Sequence, residues 1–194
     1  EQALEAALAT FLGEQAQVPP AYSAVRVDGK RAHQLARQGR APELKPRQIT
    51  IHELELLSFE PPHARVRVLC SKGTYIRTLL ADLGRQLGCG ACMSGLRRTA
   101  SGAFALEQAV PLDQLKERMA SGDLPLLSLD VALRHLPAVD TDDQGAEHIR
   151  HGQPLPPGEP PPEDTLIRVR LDGQVIALGE ARMGQVWPKR VFQL

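Results

Sequence analysis

Residues 66–84, VRVLCSKGTYIRTLLADLG, constrain the fold more than any other stretch of the chain. Val66, Val68 and Cys70 alternate with Arg67 and Leu69, the two-residue period of a strand with one buried face. Ser71-Lys72-Gly73 breaks that pattern. Ile76, Leu79, Leu80 and Leu83 then follow helical spacing, with Gly84 as the expected C-terminal stop. Tyr75 and Arg77 therefore fall in the first turn of a helix leaving a strand end, a rigid support for a binding or reactive group. An arginine among apolar neighbours there calls for an anion. A phosphate loop does not fit, because Lys72 precedes Gly73 and no second glycine stands five residues before it. The helix N-terminus itself still suits an anion, either an RNA phosphate or a carboxylate. Asp82 is at i+5 from Arg77, off the i+3 and i+4 positions, and reads as a helix-surface or structural aspartate.

Formal net charge is zero, but the charges are partitioned. Residues 26–47 hold seven Lys/Arg against two acids, and residues 65–98 hold seven against one. The rest of the chain has 9 basic and 20 acidic residues, a balance of −11 against +5 and +6 in the two stretches. Such concentration offers positive charge to a polyanion; solvated helix faces are the plainer alternative for either stretch alone. Three cysteines cannot all pair, which fits a reducing cytoplasm. Cys89-x-x-Cys92 is half of a zinc site at most, and small buried residues around a glycine-rich turn is the better reading. No apolar run approaches the roughly 18 residues of a membrane span.

Helices are expected over Glu1–Leu12, Lys30–Gln38 and Leu112–Met119. In the first, Leu4, Leu8, Phe11 and Leu12 share one face. Gln17–Val25 is extended because Pro19 and Pro20 forbid helix. Asp28-Gly29 marks a turn, Arg47–Phe59 a strand, and Glu60–His63 the turn into the opening stretch. Ser94–Thr99 is an extended basic segment, and Ser101-Gly102 turns into Phe104. Beyond about residue 128 the character changes: six prolines between 154 and 162, then Leu166–Leu171 and Gln174–Gly179 joined by Asp172-Gly173 as a hairpin. Gly184–Phe192 adds another strand to a small β-rich tail. The chain opens in mid-helix without Met, which reads as the inside of a longer protein.

Several motifs carry a resemblance in the right order and at the right distances. They are QVPPAYSAV (17–25), DGKRA (28–32), LARQG (35–39), CSKGTYIRTL (70–79) and LRRT (96–99) with Gly102 and Phe104. This pattern resembles the bacterial tRNA pseudouridine-55 synthase family. A weaker match in Ile149–Gln153 and Trp187–Phe192 resembles that family's C-terminal RNA-binding domain of PUA type.

The resemblance implies an α+β fold: a mixed, mostly antiparallel sheet with helices over 1–127, then a PUA-like domain over 128–194. Within the first, residues 19–44 would be an insertion gripping the T arm of tRNA. It implies a cytoplasmic isomerase that converts a T-loop uridine to pseudouridine, without metal or cofactor, as a monomer when complete. The family's nucleophile is the aspartate of a Leu-Asp-Pro motif, and no Leu-Asp-Pro occurs in these 194 residues. A missing N-terminal part of the enzyme would then carry that aspartate and a stacking tyrosine, and its loss would leave sheet edges unpaired. By the same resemblance Arg77 supports the aspartate, while Tyr75 and Leu96 line the uridine pocket. Arg26, Lys30, Arg31, Arg37, Lys72, Arg97 and Arg98 are the expected RNA contacts. His33 stands where a tyrosine is common. Seven aromatic residues are too few to stack several single-stranded bases. The alternative from a different class is a non-catalytic RNA-binding fragment.

Overall fold

A computed structural model of the chain describes residues 1–27, 29–40, 42–155 and 162–192. The residues form two units, Glu1–Arg97 and Arg98–Leu194.

In the first unit a three-stranded antiparallel sheet, in the order β1-β4-β5, carries two helices. Helix α1 is Gln2–Ala9, β1 is Gly13–Gln17, β4 is Arg47–Glu60, β5 is His63–Cys70 and α3 is Ile76–Gln86. A small ribbon, β2 (Arg26–Val27) and β3 (Lys30–Arg31), leads into α2 (Ala32–Arg37). Asp28, in its expected turn, lies outside the described residues. The core joins Leu4, Ala7 and Leu8 of α1, Ile49 and Ile51 of β4, and Leu79 and Leu83 of α3, all buried. Fully burying a side chain such as Ile51 or Leu79 stabilises by roughly 1.5–3 kcal/mol, so this contact holds α3 against the sheet. Helix α1 ends earlier than expected, and Leu12 is accordingly exposed rather than on the buried face.

A second correction concerns Gly84. The helix does not stop there but runs to Gln86, and the turn comes at Gly88, whose φ is 76°. Gly84 is inside the helix because the following loop crosses it: a Cβ on Gly84 would come within 2.2 Å of the Ala91 backbone nitrogen. Cys89 and Cys92, expected to be small buried residues, are both exposed on that loop.

The second unit begins with the short hairpin β6 (Ala100–Ser101) and β7 (Phe104–Ala105), then a single 3-10 turn and α4 (Leu112–Ala120). After α5 (Leu129–Leu133) comes a four-stranded sheet in the order β11-β10-β9-β8. Its strands are β8 (Ala138–Thr141), β9 (Leu166–Leu171), β10 (Gln174–Arg182) and β11 (Gln185–Val191), and α6 (Asp143–Arg150) follows β8. The β9–β10 hairpin turns at the expected Asp172-Gly173, and β11 falls within the strand expected over Gly184–Phe192. The parallel pairing of β8 with β9 was not anticipated, nor were α5 and α6. It is tied by the Arg170 guanidinium, which donates from Nε and Nη2 to the two Asp140 carboxylate oxygens at 2.8 Å each. Asp142 caps α6 by accepting from the Gly145 N–H at 2.9 Å. Ile149, Ile167, Val169 and Ala177 close the core.

Among the described residues Glu180 is the buried acid of this unit, receiving a hydrogen bond from Lys189 Nζ at 2.8 Å and another from Arg182. The Lys189 hydrogen bond, followed by that of Arg182, holds its pKa below the ordinary carboxylate value. A depressed native pKa adds stability above the unfolded-state pKa, and that stability is lost as pH falls through the native value. Lys189→Met is expected to move the acid-unfolding midpoint of this unit to higher pH, followed by the fluorescence of Trp187. An unmoved midpoint contradicts the assignment.

Candidate functional site

The opening strand–turn–helix is fastened to the middle strand of its sheet. Ser71 N–H donates to the Thr50 carbonyl at 2.8 Å, and Thr50 N–H donates to the Ser71 hydroxyl at 2.9 Å. Thr74 Oγ1 donates back to the Ser71 carbonyl at 2.9 Å, closing the turn. Gly73 has φ 86°, the left-handed region that a side chain disfavours. The chain then enters α3 with Tyr75 as its N-cap in extended conformation, φ −98° and ψ 103°.

Tyr75 has no capping side chain of its own, and a distant residue supplies one. Gln17, last residue of β1 and 5% exposed, accepts from the Tyr75 N–H through Oε1 at 2.8 Å. Its Nε2 donates to the Tyr75 carbonyl at 3.2 Å, the same oxygen that accepts from Leu79 N–H at 3.0 Å. Two residues past the N-cap, Arg77 is exposed and its Nη2 donates to the Tyr22 carbonyl at 2.8 Å. Residues 17–22 thus bridge the start of α3 at both ends. Sequence reasoning missed Gln17. The polar run GEQAQ of β1 has no apolar alternation, so neither the strand nor its buried glutamine was legible.

Between this bridge and α3 lies an open groove of about 570 Å³. Ala16, Val18 and Pro20 form one wall; Arg77, Asp82 and Arg85 lie on the other. Asp82 pairs with Arg85 at 2.7 Å, the helix-surface role expected for it. Among the described residues Arg77 has no carboxylate partner, so its guanidinium keeps N–H donors available toward the groove.

The other candidates are less gathered. Leu96 is 62% exposed on the loop after α3 and is not among the residues lining the groove. Lys72 is exposed on the Ser71–Gly73 turn, and Arg97 is exposed beside Leu96. Arg98 opens the second unit, also exposed. Arg26 and Arg31 are directly opposed across the β2–β3 ribbon, with Lys30 next to them opposite Val27. Like charges in register repel, and a polyanion relieves that repulsion. Arg37 is exposed at the end of α2. His33 Nδ1 lies 3.0 Å from the Ser23 carbonyl. Among the described residues no group of three His, Cys, Asp or Glu side chains could hold a metal ion, and no helix is long and apolar enough to cross a membrane.

Comparison with known proteins bears on this arrangement. Three family models tile the chain: TruB family pseudouridylate synthase (N terminal domain) over residues 1–76, tRNA pseudouridylate synthase B C-terminal domain over 77–136, and pseudouridine synthase II TruB, C-terminal, over 137–192. The tRNA pseudouridine synthase B of Pseudomonas aeruginosa (strain UCBPP-PA14) is 43% identical over 196 residues, covering 98% of this chain and 64% of that protein. That of Cupriavidus metallidurans is 43% identical over 202 residues, covering 99% and 64%. The chain therefore spans about 64% of the length of these relatives. Among solved structures, a Cbf5-Nop10-Gar1 complex matches with a TM-score of 0.75 at 26% identity, over 100% of this chain and 62% of that one. An H/ACA RNP bound to a substrate RNA containing 2'-deoxyuridine matches with 0.77 at 25% identity, over the same shares.

Proposed function

The chain belongs to the TruB family of pseudouridylate synthases, and from that premise we propose that it forms part of a cytoplasmic tRNA pseudouridine synthase acting on the uridine at position 55 of the T arm. The observation that carries this reading is Arg77: an exposed guanidinium on an open groove, at a family-matched motif, with no carboxylate partner among the described residues. In the reaction the glycosidic bond of the target uridine breaks, the base turns, and it rejoins through carbon. The attacking aspartate comes from the remainder of the enzyme, an N-terminal part that brings the family's Leu-Asp-Pro motif. Arg77 keeps that carboxylate ionised and aimed, which a nucleophile needs. Tyr75 and Leu96 receive the nucleotide after it leaves its stack.

The basic residues contribute by contact with phosphate. Arg26, Lys30, Arg31 and Arg37 belong to the 19–44 insertion, and Lys72, Arg97 and Arg98 flank the pocket motifs. Phosphate contacts position an RNA without reading its sequence. We divide the chain at 127/128, into the later part of the catalytic domain and a PUA-like domain. Support for that division is that α5, residues 129–133, packs on β10, and that Asp130 accepts from Arg168 of β9 at 2.6 Å.

The test is a pair of measurements on tRNA transcripts. Binding by the 194-residue chain is expected to weaken steeply with salt, since each phosphate contact contributes to the slope of affinity against salt concentration. The chain alone is expected to form no pseudouridine; adding the aspartate-bearing segment of a relative restores product. Salt-independent binding, or product from the chain alone, overturns the reading. Binding without product even in the complemented enzyme favours the non-catalytic alternative.

A further inference from the structure

We propose that Gln17 is a positioning residue of the site, holding the Tyr75 backbone so that Tyr75 and Arg77 present their side chains correctly; this rests on the reading of Tyr75 and Arg77 given above.

The geometry is that of a strand pair made by one side chain. A primary amide offers one acceptor and one donor in a fixed plane, matching a backbone N–H and C=O. Gln17 uses both on a single residue, Tyr75, at 2.8 and 3.2 Å. It spans 58 positions of sequence to do so. Its own backbone is fixed by the β1–β4 ladder, where it pairs with Arg47. The following Val18-Pro19-Pro20 leaves the strand, so β1 ends at the residue whose side chain continues the pairing.

The consequence falls on the first turn of α3. Tyr75 has no capping side chain from its own neighbourhood, and its extended φ and ψ must be held against the fraying usual at a helix end. Gln17 satisfies its N–H, which no helical carbonyl can reach, and shares its carbonyl with Leu79. Loss of this clamp lets Tyr75 rotate and shifts the start of the helix on which Arg77 stands. Burial of the amide at 5% exposure keeps water from replacing it.

Gln17→Met removes both hydrogen bonds at nearly constant length, and Gln17→Glu keeps the acceptor but sets an ionised oxygen against the Tyr75 carbonyl. Two readouts apply to the 194-residue chain. The first is amide hydrogen exchange at Tyr75, with Ile49 and Ile51 of β4 as controls for folding. The second is affinity for a T-arm hairpin RNA carrying either uridine or an abasic nucleotide at the target position. For Gln17→Met the Tyr75 amide is expected to exchange about tenfold faster with β4 unchanged. The preference for uridine over the abasic hairpin falls, while affinity for the abasic hairpin stays. For Gln17→Glu the preference returns as pH falls and the carboxyl regains a donor. Gln17→Met keeps the volume without the amide, so loss in Gln17→Met together with recovery in protonated Gln17→Glu marks the hydrogen bonds rather than the space filled. Unchanged Tyr75 exchange in Gln17→Met overturns the clamp whatever the RNA result. A wild-type chain that binds both hairpins equally overturns the base-pocket reading of Tyr75 and the functional half of this proposal; the exchange measurement still decides the clamp itself.

Discussion

Arg77→Ala, in an enzyme joining this chain to the family's aspartate-bearing segment, is expected to slow pseudouridine formation about a hundred-fold or more while tRNA affinity changes by less than about threefold. The asymmetry follows from what Arg77 touches. Among the described residues its one side-chain hydrogen bond is to the neutral Tyr22 carbonyl, which steadies the guanidinium without neutralising it. A carboxylate brought to the groove meets a planar fork able to bind both oxygens. Removing the fork strips the carboxylate of its charge-assisted hydrogen bonds, each contributing about 1.5–3 kcal/mol. Each 1.36 kcal/mol is a tenfold change in rate, so a hundred-fold is the modest end of the range. Binding of the tRNA, by contrast, is spread over many exposed cations, and one more or less changes it little. Arg77→Lys should fall between, since lysine keeps the charge and loses the fork. The check is single-turnover product formation beside equilibrium binding. Equal losses in both would make Arg77 a phosphate contact and remove its role beside the aspartate.

The second large effect is structural and falls on Gly84. In an exposed helix, alanine in place of glycine stabilises by about 1 kcal/mol. Here the substitution is expected to destabilise the first unit instead, by about 1–3 kcal/mol for Ala and more for Val. The atoms that a Cβ would meet decide the sign: Ala91 N at 2.2 Å, the Gly90 carbonyl carbon at 2.4 Å and Ala91 Cβ at 2.5 Å. Two of the three are backbone, and the loop is pinned where Gly90 N–H donates to the Gly84 carbonyl at 2.9 Å. Relief therefore requires moving the loop, not turning a rotamer. Leu96 lies farther along that loop, so Gly84→Ala should also weaken RNA binding at the proposed pocket. Urea unfolding of the first unit, followed by hydrogen exchange at Ile51 and Leu79, gives the stability change. A variant as stable as the parent, or more so, would mean that helix propensity outweighs the crossing and that the loop moves freely.

Much of the fold was legible residue by residue. The period of Val66, Val68 and Cys70, the spacing of Ile76, Leu79 and Leu83, and the turn at Asp172-Gly173 each lie within a few residues of sequence, and strand, helix and hairpin follow them. The motifs around Tyr75 and Arg77 were equally local, and they led to the family. The relations among those pieces were not legible. Gly84 looked like a helix stop because glycine usually is one; the Ala91 crossing gave it another reason to be there. Strand β1 was hidden because Glu14, Gln15 and Gln17 carry no apolar rhythm. The β8–β9 pairing joins segments that no tight turn connects.

What the sequence by itself determined is therefore the local conformation and the chemical type of the site: a cation in the first turn of a helix, two basic stretches, and the family to which those motifs belong. What only the tertiary structure decided is how that cation is held: Gln17 on the Tyr75 backbone, the Tyr22 carbonyl on Arg77, and the loop across Gly84. The physical reason is range. Periodicity and turn chemistry act over a few residues and are written in them. A hydrogen bond between residues 58 apart depends on every intervening element closing correctly, and no local pattern in either partner records it.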